Sequence, residues 1–363
     1  MSKHMIPNVP YIFQGLVPRC HVTSLMMILE YYGIRYSQSY LMNLAGFNYG
    51  FVYFKGKNIA FGNPESPFGP WPFMAYAAEK IGCKTTFLRD KPWDETWAIM
   101  KQYADMDIPV YLPLLNMKPL WKTMVPVPHL MVLCGYDEEK GIVMTHDPAL
   151  GEAGEGILHL GSNQLSEGKS GSYAEYKIED FRQACDLEGT PWEEFGKNGL
   201  CVIEPVKKPS VSLGEVLERN SKLTLGQVEQ VIGKSISPEC VFGPQGIIEL
   251  AEDLEKGFGL LKEATQLSRI FLGLRNNTFV IGSSYKMDAS AFLAGLALVR
   301  GSRALEKASY NFRLSALCYE QGLTEVDSPL KIEEKLPRIS KVLKRIAQYE
   351  KKAGESLAEV TTT

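Results

Sequence analysis

Long hydrophobic runs are missing from this chain. No apolar stretch approaches the roughly 18 residues that a bilayer-spanning helix needs, so the sequence excludes an integral helical membrane protein. Met1 to Pro18 lacks the continuous apolar core and small-residue cleavage site of a secretory signal, and a cytoplasmic location is expected. Paired cysteines are also missing. The seven cysteines, at 20, 83, 134, 185, 201, 240 and 318, are odd in number and widely spaced, with no C-x-x-C. A disulfide framework and a paired-cysteine zinc site are thereby disfavoured. Nor is there a surplus of one charge. Thirty-nine basic against 42 acidic side chains leave −3, which excludes a nucleic-acid binder held by bulk charge and an acidic disordered tail protein.

What is present is a globular composition. Of 363 residues, 45% are apolar and 22% charged, enough for a sizeable core and more than one ordinary domain. The texture changes near residue 204. Before it the chain is rich in Pro, Gly and aromatics; from about 210 helical periodicity dominates. Glu204-Pro205-Val206-Lys207-Lys208-Pro209-Ser210 carries two prolines around a basic pair and reads as a linker. The expected division is therefore a first domain over 1–204, a linker over 205–209 and an all-helical domain over 210–363.

In the first part, Leu25, Ile28, Leu29 and Tyr32 recur at helical spacing, and Gly33 follows as a left-handed stop, predicting a helix over 20–32. Further helices are expected over 73–81 and 93–103. The proline-punctuated run Ile108 to Leu114 suits an edge strand. Two strands, 129–136 and 141–146, are joined by the polar turn Asp137-Glu138-Glu139-Lys140. Gly151 to Ser172 reads as a mobile loop and Gly199 to Ile203 as a closing strand. In the second part helices are expected over 247–267, from an N-cap at Asp288 to Val299, over 303–321, and over 338–352 with Ile339, Val342, Leu343 and Ile346 as its apolar stripe.

Cys20 opens the first helix. A cysteine there meets the positive end of the helix dipole, which favours thiolate over thiol. A thiolate nucleophile needs an imidazole to move its proton and a third group to orient that imidazole. If the hairpin turns near residues 138–139, His129 faces residues 147–150, which sets Asp147 opposite or adjacent to it. Gln14, six positions before Cys20, has an amide that can donate to an oxyanion beside the Cys20 backbone N–H. His21 points about 100° away from Cys20 on the helix, and His146 faces the other side of its strand from Asp147. A metal set of Cys20, His129, Cys134 and His146 lacks any tight ligand pair. The aromatic runs Phe47 to Phe54 and Phe68 to Phe73 suit either core or a substrate groove.

Gln14-x₅-Cys20, the helix ending Leu29-Glu30-Tyr31-Tyr32-Gly33, the run His129-Leu130-Met131-Val132-Leu133-Cys134-Gly135-Tyr136-Asp137, and Asp147-Pro148 together resemble the papain-like C39 cysteine peptidase family over about residues 10–150. The resemblance implies an α+β papain-like fold, with Cys20 as nucleophile, His129 as general base, Asp147 as its orienting residue and Gln14 as oxyanion donor. A longer resemblance, through Tyr36-Ser37-Gln38 and Leu44 to Phe54 and again at Gly243 to Leu254, is to the butirosin-biosynthesis acyltransferases. It implies acyl transfer from a carrier-protein thioester to an amine. The chain departs from these patterns at three places. His21 follows the cysteine where C39 enzymes usually have Gly, Arg19 precedes it where the butirosin type has His, and Gln38 stands where an acid is more usual.

Both resemblances lead to one chemistry, an acyl-cysteine intermediate and transfer to water or an amine, with no cofactor. A peptidase and an inactive binding module remain as alternatives. The expected substrate is a small molecule or peptide. Lys331 to Lys352 holds eight basic residues against three Glu, a face that suits an acidic acyl-carrier protein. Neither nucleic acid nor membrane is expected as a partner.

Overall fold

The computed structural model describes residues 2–15, 19–64, 71–122, 128–151, 170–190, 196–233, 237–257 and 270–361. The Gly151–Ser172 loop therefore lies mostly outside the described residues. The chain folds as two compact units. One comprises 1–38 and 68–210, the other 39–67 and 211–363.

The chain starts in the first unit with strand β1 (Lys3–Met5) and helix α1 (Cys20–Tyr31). It then contributes α2 (Gln38–Ala45), β2 (Val52–Phe54) and β3 (Ile59–Phe61), all but Gln38 belonging to the second unit. Returning, it forms α3 (Trp71–Lys80), β4 (Cys83–Leu88), α4 (Trp93–Asp105), β5 (Val110–Asn116), α5 (Lys118–Trp121), β6 (Pro128–Asp137), β7 (Ile142–His146), β8 (Ala174–Lys177), α6 (Ile178–Cys185) and β9 (Leu200–Pro205). These strands make one antiparallel sheet in the order β4-β9-β5-β6-β7-β8, with β1 extending the ladder on β6. The architecture is α+β and papain-like.

Helix α1 forms where its periodicity places it. Leu25, Ile28 and Leu29 are buried. The helix ends in a Schellman motif: Gly33 has φ +75°, its N–H donates to the Glu30 carbonyl, and Ile34 N–H donates to the Leu29 carbonyl. Strand β5 differs from expectation. It lies inside the sheet, with Val110 paired to both Leu133 and Val202. Proline is accommodated because pairing to β9 covers only Val110 and Tyr111, and the ladder to β6 is interrupted between Leu112 and Leu115. The missing N–H of Pro113 is not needed there. The closing strand β9 is likewise internal, between β4 and β5.

The second unit adds α7 (Leu213–Thr224), α8 (Val228–Ile232), β10 (Cys240–Phe242), α9 (Gly243–Glu255), a π-helical turn over Leu274–Val280, α10 (Ile281–Arg300), α11 (Arg303–Asp327) and α12 (Ile332–Thr361). It is helical apart from a small antiparallel sheet in the order β10-β2-β3. That sheet explains why 39–67 belongs here rather than with the first domain. Phe51 and Tyr53 join Ile247, Leu250, Phe279, Tyr319, Ile339 and Leu343 in one buried core. The aromatic run Phe47 to Tyr53 is thus core, not groove. The expected linker is fastened to the first unit, since Val206 and Lys207 N–H donate to the Gly82 carbonyl. Asp288 is no N-cap. It sits inside α10, where Asn48 donates to its carboxylate at 2.9 Å. The helix already runs from Ile281, and the Tyr319 ring packs against its backbone at Gly282.

Lys286 of α10 is fully buried. Its Nζ donates to the carbonyls of Asn48 (3.1 Å), Gly50 (2.7 Å) and Gly62 (3.2 Å), and lies 3.8 Å from buried Glu350. Three acceptors for three N–H bonds describe an ammonium.

Candidate active site

The site is assembled from α1, the β6–β7 hairpin and α5. Asp137 Oδ1 accepts the N–H groups of Glu139 and Lys140, closing the hairpin turn. The register runs Asp137↔Ile142 to Gly135↔Met144, then slips by one residue to Leu133↔Thr145 and Val132↔His146. This bulge at Cys134 decides the chemistry. Continued past His146, the slipped register sets Asp147 opposite Met131, on the same face as His129. Without the slip Asp147 would face Val132 and point away.

His129 Nε2 and Asp147 Oδ1 are 2.7 Å apart, and both side chains are buried. Asp147 is held by four donors. Oδ1 also accepts the Ala149 N–H at 3.0 Å, while Oδ2 accepts Trp121 Nε1 at 3.2 Å and the Tyr176 hydroxyl at 2.7 Å. The Asp147 N–H donates to Gly171, and a side chain at Gly171 would collide with the carbonyls of Asp147 and Leu150 and with the Tyr11 hydroxyl. Tyr11 donates to both of those carbonyls.

Burial alone would depress the His129 pKa. The Asp147 charge, then the Cys20 charge and hydrogen bonds with both side chains, outweigh it and raise the value to about 10. Burial works against the Asp147 carboxylate too, but His129 and the donors from Tyr176 and Ala149 hold its pKa below the usual range. Because Nε2 is committed to Asp147, Nδ1 is the ring nitrogen left for Cys20. Cys20 is half-buried, so a thiol in contact with a buried imidazole also reaches solvent. The arrangement can hold an imidazolium beside a thiolate.

The other residues singled out fall as follows. Gln14 is buried, and its backbone N–H donates to the Pro148 carbonyl at 3.0 Å, tying its loop to the residue after Asp147. Its side-chain oxygen has no hydrogen-bond partner among the described residues. His21 is buried. Desolvation, and then the Arg19 charge, push its pKa down to about 3, so it is neutral near pH 7. His146 faces away from the pair; it bonds the Val9 carbonyl through Nε2 at 2.8 Å and accepts Tyr173 N–H at Nδ1. The metal set of Cys20, His129, Cys134 and His146 does not gather, since its two histidines lie on opposite faces. Among the described residues no group of three potential ligands forms. No helix there is long and apolar enough to cross a membrane.

Trp121 and Tyr176 are the participants that sequence reasoning missed. The Trp121 ring centroid lies 4.8 Å from that of His129. It sits on a four-residue helix opened by Pro119, whose proximity to His129 follows from the pairing of Asn116 with Pro128. No local pattern signals that placement.

Residues 6–177 match the model of the Peptidase_C39 like family. Over this segment the chain is similar to that family. A C39-like domain is a cysteine-dependent, peptidase- or hydrolase-type module, and the matched range contains Gln14, Cys20, His129 and Asp147. No curated protein matches the chain.

Proposed function

We propose that the protein is a thiol-dependent acyl-transfer enzyme working through an acyl-cysteine intermediate. The observation that carries this is the contact chain Cys20–His129–Asp147, with the carboxylate fixed by four donors. Cys20 Sγ attacks the carbonyl carbon of a thioester or amide, and His129 holds the proton. The oxyanion that forms is met by the Cys20 backbone N–H and the Gln14 amide. Collapse breaks the bond to the leaving thiol or amine, which takes the proton from His129. An acceptor then attacks the acyl-cysteine, losing its proton to His129 and freeing the Cys20 thiol. With an amine the product is an amide; with water it is a carboxylic acid.

Transfer to an amine from a carrier-bound donor is our first reading, with cytoplasmic action and no cofactor. Exposed Arg338, Lys341, Arg345 and Lys352 along α12 favour an acidic carrier protein as donor. The similarity to the C39-like family favours water as acceptor, and hydrolysis is the second reading. The test is intact-mass spectrometry after mixing with a small acyl thioester. A single acyl adduct on wild type, absent from Cys20→Ala, supports the reading; equal adducts on both proteins would sink it. Added amine then separates the acceptors: amide product marks transfer, acid alone marks hydrolysis. No adduct in either protein would favour an inactive binding module.

A further inference from the structure

Two of the positions at which this chain departs from its resemblances meet in space. Arg19 Nη1 donates to Gln38 Oε1 at 2.9 Å, and Gln38 Nε2 donates to Thr23 Oγ1 at 3.1 Å. Arg19 is the N-cap of α1 and Thr23 its fourth residue, whose N–H closes the first turn on the Arg19 carbonyl at 3.0 Å. The one amide therefore grips the helix at both ends of that turn, and Cys20 lies between. Cys20 contributes both its sulfur and its first-turn N–H to the proposed chemistry. A small rotation of this turn would misalign both together.

The chemistry of the grip matters as much as its place. The guanidinium is held here by a neutral amide, so this contact does not cancel its charge. That charge acts within the first turn of α1, where it helps depress the pKa of His21, the residue after Cys20. Among the described residues, Arg19 and His21 flank Cys20 on α1, His129 on β6 meets it with Asp147 behind, and Gln38 adds an uncharged amide to the same turn. With His21 neutral, Arg19 is the cation on the helix side of the thiolate and His129 the cation on the sheet side.

We propose that Gln38 is a positioning residue for Cys20, locking the first turn of α1 through Arg19 and Thr23 by a contact that preserves the positive charge of Arg19. The inference rests on Cys20 being the nucleophile. It assigns the neutral amide at position 38 a role that an acid there would not fill. Glutamate could accept from both Arg19 and the Thr23 hydroxyl, keeping the grip while offsetting the charge; alanine would remove the grip and keep the charge.

The experiment is the rate of iodoacetamide labelling of Cys20 between pH 5 and 10 in wild type, Gln38→Glu, Gln38→Ala and Arg19→Gln, with half-buried Cys240 as internal reference and melting temperature measured alongside. Gln38→Glu and Arg19→Gln are expected to move the rising limb of the Cys20 profile up by about one pH unit, roughly tenfold slower labelling on that limb, with the high-pH plateau kept in Gln38→Glu. Gln38→Ala is expected to leave the limb in place and to slow acylation by a small thioester about tenfold. A merely structural role would lower the melting temperature and leave the limb unmoved, and that result overturns the inference. Wild-type Cys20 labelling no faster than Cys240 would instead remove the nucleophile reading and the inference with it.

Discussion

Trp121 touches both members of one hydrogen bond. Its ring packs on His129 with centroids 4.8 Å apart, while its Nε1 donates to the Asp147 carboxylate that His129 itself binds. The indole thus walls the ion pair from one side and satisfies one of its lone pairs. Trp121→Phe keeps the wall and deletes the donor. A hydrogen bond to a charged group contributes about 1.5–3 kcal/mol, so acylation by a small thioester is expected to slow by roughly tenfold or more. Tyr176→Phe, which deletes the other Oδ2 donor, is expected to match it. If both variants acylate at the wild-type rate, the carboxylate does not need its donors.

Cys20 and Cys240 are the half-buried thiols; Cys83, Cys134, Cys185, Cys201 and Cys318 are buried. Exposure alone would label the first two alike. Selective alkylation of Cys20 over Cys240 at pH 7 is expected, and His129→Ala should erase most of that difference, at least about tenfold in rate. Peptide mass spectrometry after brief labelling reads both sites in one sample.

Two buried histidines oppose each other in their effect on stability. The folded pKa of His21 is depressed to about 3, so between its unfolded value near 6.5 and about 3 the unfolded chain binds the extra proton. Stability contributed by this site is present above pH 6.5 and is lost as pH falls through that window; His146, also depressed, adds to the loss. His129 runs the other way. Its pKa of about 10 means its contribution is whole below 6.5 and is lost as pH rises through 10. In His21→Gln the slope of unfolding free energy between pH 4 and 6 is expected to fall by about 1.4 kcal/mol per pH unit. Urea titrations at several pH values check this, and an unchanged slope would show that His21 takes its proton in the folded state.

Lys286 and Glu350 form a pair that tolerates no half-removal. Desolvation lowers the Lys286 pKa and raises that of Glu350, and each partner partly offsets the effect on the other. Lys286→Met strips three carbonyls of their donor and leaves Glu350 buried near no cation, so a loss of roughly 3–5 kcal/mol is expected. Glu350→Gln in the same chain should recover part of it. Denaturant midpoints of the single and double variants measure the recovery; a double variant no better than Lys286→Met would mean that the carbonyl cage alone sets the loss.

Local chemistry made part of this molecule legible. The helix of Cys20 shows in its apolar spacing and its glycine stop, and the β6–β7 hairpin in two apolar runs around a polar turn. From that hairpin the pairing of His129 with Asp147 could be anticipated, although the bulge at Cys134 that puts them on one face is marked in the sequence only by the Gly135 that follows it. Long-range partners were not legible. Trp121 and Tyr176 reach Asp147 from elements that no local period places beside it. The run 39–67 resembles a continuation of the first domain because nothing near Val52 announces that its partner strand is at Cys240. Asp288 was expected to open a helix because its residue type suits an N-cap; that the helix already runs from Ile281 has no such local signal.

That excursion of 39–67 has a consequence for how the chain is made. Strands β2 and β3 leave the ribosome early, whereas β10, which completes their sheet, follows some 180 residues later. At about 5–20 residues per second, β2 and its buried-to-be aromatics wait on the order of ten to thirty seconds for a partner. Over the same interval β4 waits for β9, which sits beside it in the larger sheet. Vectorial synthesis thus produces a nascent chain with two open ladders at once, and a fragment ending at the apparent linker would release the first with Phe51 and Tyr53 still unclothed.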